Sequence, residues 1–178
     1  MEQVVVEPPM WPTSPIRATL LHWLSALGTE ASPVFWQSWW LYPHTAVAEL
    51  QPGQWNFSQI TPLLQDMLNA TRGRELALQF GTVPTWMESG PTGDRRWDFG
   101  NASYWNDTQV WMYKGHNITA FRNLTAVAEY YANFMSFYTA GGFTDSKTGK
   151  HYDSGFHYDI SYFMFGNEME YKQTPEVY

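Results

Sequence analysis

The sequence predicts an α/β fold with a parallel sheet, because short apolar strands alternate along the chain with amphipathic helical segments. Two observations support this class. The 178 residues are enough to bury a core, and Gly or Pro residues stand where the elements should end. We expect one sheet with four strands in sequential order, near residues 3–7, 33–40, 75–80 and 160–166.

The first strand is a β-branched run from Gln3 to Val6. A helix should follow it, with Ser14 as the N-cap and Pro15 at the first helical position. Apolar residues then recur at helical spacing, and Gly28 is placed to end the helix.

The second strand is the apolar run 33–40, and a second helix should begin at Ser58 or Thr61. Its apolar stripe ends before Gly73, and the third strand, 75–80, follows directly.

A third helix is predicted from Leu124 to Tyr138, where apolar residues again recur at helical spacing and Gly141 follows. The fourth strand covers 160–166, and Thr174 has the position of an N-cap for another helix.

Strands that alternate with helices fit either a barrel or a doubly wound sheet. No Gly-rich phosphate loop follows the first strand, since Glu7, Pro8 and Met10 lie there, so nothing supports nucleotide binding. A (β/α)₈ barrel needs about 250 residues and eight units. The sequence therefore predicts the first half of such a barrel, strands 1–4, with residues 1–178 as one partial domain truncated after strand 4.

Composition excludes several classes of partner. Ten Lys and Arg against seventeen Asp and Glu give a net charge of −7, which argues against nucleic acid. No apolar run reaches transmembrane length, and no pattern predicts a cofactor or a metal site. The absence of Cys excludes disulfides and thiol chemistry. Aromatic residues make up 18% of the chain, which suits either a dense core or the stacking of rings on sugars.

Asparagine usage indicates the secretory pathway. Six of the eight Asn residues start an Asn-X-Ser/Thr sequon, whereas chance predicts about one. The N-terminus has no basic region typical of a signal peptide, so we expect the signal to lie upstream of Met1. The six predicted glycosylation sites are Asn56, Asn69, Asn101, Asn106, Asn117 and Asn123.

Candidate site residues follow the predicted strands. Trp40 ends the second strand and His44 follows it, Trp86 follows the third, and Asn167 and Glu168 follow the fourth. In a parallel barrel the C-terminal ends of the strands share one rim, where catalytic groups lie. A carboxylic acid beside an amide and aromatic rings suits glycoside hydrolysis, because the acid protonates the leaving oxygen while the amide and the rings hold the sugar. The predicted partner is therefore a carbohydrate substrate.

Two long connections flank this predicted site. Residues 81–118 leave the C-terminal end of the third strand, and we interpret them as an active-site loop. Residues 141–159 precede the fourth strand, so we expect His151 and His157 at the opposite edge with a structural or solvated role. Glu49 fits either a carboxylate of the rim or an exposed side chain, and we favour the exposed position.

Five segments, spread over nearly the whole chain, carry a resemblance to a known group of enzymes. They are residues 3–6 with 14–16, residues 46–50 with 55–57, residues 80–87, residues 141–145 and residues 165–168. In these segments the chain resembles the clan A glycoside hydrolases and is similar to their β-xylosidase/α-L-iduronidase family. The resemblance implies a (β/α)₈ fold, with Glu168 as the general acid/base and Asn167 as the contact to the 2-hydroxyl. It also implies that Trp86 and His44 shape the sugar site.

In this clan the nucleophilic glutamate follows the seventh strand, whereas only four strands are predicted here. A retaining mechanism needs two carboxyl groups about 5–5.5 Å apart on either side of the bond that is cleaved. Glu170 lies two residues beyond Glu168 in the same loop, so it is not expected to face the other side of the sugar. The sequence thus predicts half an active site, completed by the C-terminal half of a barrel.

Two other functions stay open at this point. The chain could belong to a non-catalytic carbohydrate-binding or degenerate barrel that keeps the aromatic rim without turnover. It could also be an incomplete gene product with no independent role.

Overall fold

A computed structural model describes residues 2–5, 10, 13–28, 31–35, 48–72, 74–80, 83–89, 120–121 and 123–165. Within these residues ten short strands and three helices follow one another, together with one 3₁₀ turn (Thr85–Met87). In chain order they are β1 (Glu2–Val5), α1 (Arg17–Leu27), β2 (Ala31–Phe35), β3 (Glu49–Gln51), β4 (Gln54–Trp55), α2 (Ile60–Ala70), β5 (Ala77–Phe80), β6 (Glu88–Ser89), β7 (Ala120–Phe121), α3 (Leu124–Thr139), β8 (Gly142–Thr144), β9 (His151–Asp153) and β10 (Tyr162–Phe165).

The central feature is a four-stranded parallel sheet in the order β1-β2-β5-β10. Each strand overlaps one of the four predicted runs, and the order is the sequential one that we expected. Phe35, Phe80 and Phe165 lie opposite one another, so β2, β5 and β10 end on one line across the sheet. The other described strands form three antiparallel pairs, β3–β4, β6–β7 and β8–β9. The four strands alone do not identify a barrel, and the (β/α)₈ fold stays a prediction.

Helix α1 begins two residues later than predicted. Ile16 is its N-cap, and the Ser14 hydroxyl accepts a weak hydrogen bond of 3.4 Å from the Ile16 N–H before the helix starts. At the other end Gly28 follows the last helical residue with a φ of 68°, a left-handed conformation that favours glycine. The predicted helix end is therefore confirmed.

Only part of the predicted apolar stripe of α1 reaches the core. Leu24 is buried. Arg17, the first residue of α1, forms an ion pair with Asp66 of α2. Arg17 also donates from Nε to the backbone carbonyl of Met10 over 2.8 Å. These contacts orient α1. Leu21 also packs against the core, whereas four large apolar residues at or near the helix remain exposed: Ile16, Leu20, Trp23 and Leu27.

The core lies between α2 and α3 and is mainly aromatic. On α2 the buried residues recur with helical periodicity, at Ile60, Leu63, Leu64 and Met67. On α3 the buried residues include Val127, Tyr130, Tyr131, Phe134 and Tyr138. The Tyr138 hydroxyl lies 3.0 Å from the Thr61 hydroxyl, so this buried polar group has a partner.

Side chains and glycines fix both ends of α3. The Asn123 Oδ1 accepts hydrogen bonds from the N–H groups of Thr125 and Ala126 over 2.9 and 3.2 Å, which satisfies two donors of the first turn. Past the helix, Gly142 starts β8, and a Cβ there would lie 2.3 Å from the Tyr152 carbonyl oxygen. Only glycine allows β8 to approach β9 so closely.

Among the described residues, no helix combines the length and the apolar character needed to cross a membrane.

We expect Phe134→Ala to lower the free energy of unfolding by about 3–5 kcal/mol, because it removes a fully buried ring and leaves a cavity. Leu124→Ala on the same helix is the control, because Leu124 is 63% exposed and should change stability by less than about 0.5 kcal/mol. Urea denaturation followed by circular dichroism measures both. Equal losses would show that α3 does not pack as described.

Candidate functional site

Most of the predicted catalytic and sugar-binding residues lie outside the described part of the chain, namely Trp40, His44, Asn167 and Glu168. The strands before them are described. Phe165 ends β10 three positions before Glu168, and Phe80 ends β5 six positions before Trp86. Because Phe80 and Phe165 are paired, the two connections start side by side at one edge of the sheet.

Trp86 is the predicted sugar-binding residue that the structure describes. It lies in the 3₁₀ turn after β5, is half-buried, and packs against the hydrophobic core. Its indole Nε1 donates a hydrogen bond of 3.0 Å to the backbone carbonyl of Glu49. Glu49 belongs to β3, which follows β2 along the chain, so the connections after β2 and β5 meet at this contact.

Glu49 is fully buried, and our prediction that it is exposed was wrong. Its Oε1 accepts hydrogen bonds from the Gly53 N–H at 2.6 Å and from Lys147 Nζ at 3.2 Å. Its Oε2 is buried without a hydrogen-bond partner in the described structure. Burial raises the pKa of Glu49 above its ordinary value of 4.5, and the contacts with Gly53 and Lys147 only partly offset this effect.

The turn of the β3–β4 hairpin packs against the β8–β9 hairpin. We call this contact, which includes Gly53, Trp55, Asp145, Thr148 and Tyr152, the hairpin junction. Gly53 has a φ of 75°, and a Cβ there would lie 2.4 Å from the Thr148 Cγ2. The Gly53 carbonyl accepts a hydrogen bond of 2.7 Å from the Tyr152 hydroxyl. The absent side chain thus lets the two hairpins come into contact.

Asp145 is a second fully buried carboxylate at this junction. Its Oδ2 accepts a hydrogen bond of 2.8 Å from the Trp55 indole, and its Oδ1 accepts two from Thr148, at 2.8 Å from the N–H and 2.9 Å from the hydroxyl. Burial by itself would raise the pKa of Asp145. The donors from Trp55 and Thr148 outweigh it and lower the pKa below the ordinary value of 3.8.

Lys147 connects the junction to Trp86, because its Nζ lies 5.1 Å from the centroid of the Trp86 ring. We expected residues 141–159 at the edge of the sheet away from Trp86, and for this hairpin the expectation was wrong. The segment precedes β10, but its hairpin reaches the residues that follow β2 and β5. His151 and His157 are both exposed, and His151 Nδ1 lies 3.1 Å from the Thr144 hydroxyl.

Neither hairpin was predicted from the sequence, and so Asp145 and Lys147 were missed. The turn residues could have revealed both hairpins. Pro52 and Gly53 lie between β3 and β4, and Thr148 and Gly149 lie between β8 and β9. Such pairs are typical of tight turns. In the described residues no group of His, Asp or Glu side chains is arranged to hold a metal ion.

The two hairpins and Trp86 thus bring together two buried carboxylates, an ammonium group and two indole rings. Comparisons of the chain with protein-family models, with curated proteins and with solved structures give no match. The resemblance to glycoside hydrolases therefore rests on the five sequence segments quoted above.

The raised pKa of Glu49 predicts how stability depends on pH. The folded protein binds the Glu49 proton more tightly than the unfolded chain, so this contribution is fully present below about pH 4.5. It is lost as the pH rises through the folded-state pKa. We therefore expect the stability of Glu49→Gln, relative to that of the unsubstituted protein, to increase as the pH rises above about 4.5, as measured by urea denaturation at each pH.

Glu75→Gln is the control, because Glu75 is exposed. Substitution of this exposed residue should change stability by less than about 0.5 kcal/mol. A stability difference for Glu49→Gln that does not change with pH would contradict the burial of an incompletely compensated carboxylate at position 49.

Proposed function

We propose that this chain is part of a retaining glycoside hydrolase and carries its general acid/base, Glu168. The observation that carries the proposal is the alignment of the C-terminal ends of β2, β5 and β10 at one edge of a parallel sheet. The candidate residues after β2, after β5 and after β10 follow these ends in the sequence. Catalytic groups of parallel barrels occupy this edge.

The strand order favours a barrel over a doubly wound sheet. Doubly wound sheets contain a point where the strand order reverses, and ligands bind at that point. The described strands follow the order β1-β2-β5-β10 without a reversal. We therefore propose that they form strands 1–4 of a (β/α)₈ barrel, in a chain that also contains the later strands.

The contact between Trp86 and Glu49 also supports a shared rim. Two connections that leave neighbouring strands come together there within hydrogen-bond distance. Trp40 and His44 belong to the first of these connections, and Trp86 to the second. Under the proposal, residues of both connections contact one substrate.

In the proposed reaction Glu168 gives its proton to the glycosidic oxygen as the bond from that oxygen to the sugar C1 breaks. A carboxylate from the later part of the barrel attacks C1 and forms the glycosyl-enzyme intermediate. Glu168, now a carboxylate, removes a proton from the water that hydrolyses this intermediate, which restores both groups. Asn167 would bind the 2-hydroxyl of the sugar, while Trp86, Trp40 and His44 would shape its site.

We also propose that the protein passes through the secretory pathway. The three described sequon asparagines, Asn56, Asn69 and Asn123, are exposed, which an acceptor site for a glycan requires. The other three belong to the connection between β6 and β7, outside the described residues.

In a chain with the complete catalytic barrel, Glu168→Gln should slow hydrolysis of substrates with poor leaving groups by about 10²–10⁴. Gln cannot protonate the leaving oxygen. Substrates with activated leaving groups need little protonation, so their glycosylation step should suffer less. Steady-state kinetics with an alkyl and a dinitrophenyl glycoside of the same sugar make the comparison.

Glu170→Gln is the matched control and should have little effect on either substrate. Equal losses on both substrates in Glu168→Gln would argue against its role as the acid. Sugar binding without turnover in the complete chain would instead support a non-catalytic carbohydrate-binding barrel.

Expressed with a secretory signal in a eukaryotic host, the chain should gain glycans most readily at Asn101, Asn106 and Asn117. Asn123 should be used less, since its side chain caps α3, and Asn69 should be used less because it lies within α2. Intact mass before and after enzymatic glycan removal, followed by peptide mapping, measures the occupancy. A chain that is secreted without any glycan would count against the proposed compartment.

A further inference from the structure

Trp86 makes two directional contacts, and both lead to Glu49. Its indole Nε1 donates to the Glu49 carbonyl over 3.0 Å, and its ring lies 5.1 Å from Lys147 Nζ. The same Nζ donates to Glu49 Oε1 over 3.2 Å. Trp86 and Lys147 are 37 and 98 positions from Glu49 in the sequence, yet the three residues form one closed set of contacts.

The hydrogen bond from Gly53 does not explain why residue 49 is a carboxylate. The Oε1 of a glutamine could accept it equally well, without a charge in the interior. Glu49 is instead fully buried, and its Oε2 has no hydrogen-bond partner in the described structure. What a carboxylate adds at this position is the ion pair with Lys147.

The ammonium group of Lys147 lies close enough to the Trp86 ring for a cation–π interaction. A cation within about 6 Å of a Trp centroid is attracted by the ring electrons. The Lys147 side chain is 26% exposed, so solvent weakens this attraction without removing it. The ion pair with Glu49 keeps the ammonium at this place and limits the other positions open to a long side chain.

We propose that Glu49 and Lys147 are positioning residues for Trp86, which hold its indole in one orientation where the connections after β2 and β5 meet. The contacts themselves do not depend on the proposed function. Their benefit rests on it, because a sugar platform that is already ordered loses little side-chain freedom when the sugar binds.

The test measures hydrogen exchange at the indole N–H of Trp86 by NMR of the ¹⁵N-labelled 178-residue chain. The signal is assigned by its absence from the spectrum of Trp86→Phe. Lys147→Met keeps most of the aliphatic stem and removes the charge. It should speed hydrogen exchange at the Trp86 indole by about two- to fivefold, as expected for one cation–π contact. Glu49→Gln should act in the same direction, because it removes the negative charge of the ion pair with Lys147. Lys147→Arg should restore slow exchange, since it keeps a cation that can pair with Glu49.

Lys150→Met is the matched control on the same hairpin. Lys150 Nζ lies 4.5 Å from the Tyr152 ring, so this variant removes the same kind of contact from a different ring. It should leave the Trp86 indole unchanged. A Trp86 signal that is unaffected by both Lys147→Met and Glu49→Gln overturns the proposal.

Hydrogen exchange at the Trp55 indole distinguishes a specific effect on Trp86 from a general loosening of the hairpin junction. It donates to Asp145 Oδ2 over 2.8 Å across the same two hairpins. In Lys147→Met the exchange of Trp55 should stay slow while that of Trp86 rises. An equal rise at both indoles would mean that the hairpins separate, and would overturn a specific role for Lys147.

Sugar binding is tested apart from the contacts, with methyl β-D-xylopyranoside as the probe. A change in the Trp86 signal on its addition, weaker in Lys147→Met and retained in Lys150→Met, supports both the platform and its positioning. If exchange at Trp86 depends on Lys147 but the probe does not affect Trp86, the positioning stands and the proposed sugar platform is rejected.

Discussion

Parallel strands impose the main constraint on this structure, because neighbouring parallel strands cannot be joined by a tight turn and need a long crossover. The three crossovers of the sheet contain α1, α2 and α3 in turn. Each crossover returns the chain to the same end of the sheet, so the outgoing connections all begin at the other end. Two of them hold Glu49 and Trp86, which meet in a hydrogen bond. The packing of the helices and the contact between the connections that hold Glu49 and Trp86 thus have one cause.

Two buried carboxylates at the hairpin junction show how nearby hydrogen-bond donors determine whether a pKa is raised or lowered. Asp145 receives three hydrogen bonds from Trp55 and Thr148, and its pKa is lowered. Glu49 is also fully buried but receives one backbone N–H and one ammonium, and one of its oxygens has no hydrogen-bond partner in the described structure. Burial therefore dominates at Glu49, and its pKa is raised. Asp145, with the more complete set of hydrogen bonds, holds the two hairpins together. Glu49 lies near Trp86 and keeps one carboxylate oxygen without a hydrogen-bond partner in the described structure.

Features set by local sequence could be predicted, and features set by distant partners could not. The four strands and the end of α1 at Gly28 follow from β-branched runs, helical periodicity and the special conformation of glycine. Glu49 is buried with an ion-pair partner, Lys147, that lies 98 positions away, so no local pattern signals its burial. The exposed side of α1, which includes Trp23, was also missed, because periodicity shows that a helix has an apolar stripe but not how much of it finds a partner.

The surplus of aromatic residues has a structural explanation in the described part of the chain. Phe57 stacks on Phe137 with ring centroids 3.7 Å apart, and Trp55 stacks on Tyr130 at 5.4 Å, so these rings fill the space between α2 and α3 and the two hairpins. Composition therefore does not by itself argue for sugar binding. What distinguishes Trp86 from these rings is its position after a strand end, with its ring next to an ammonium and its indole N–H bound to a neighbouring connection. The proposed recognition of a carbohydrate relies on such strand-end residues, and the proposed bond cleavage relies on the carboxyl group of Glu168, which follows β10 in the sequence.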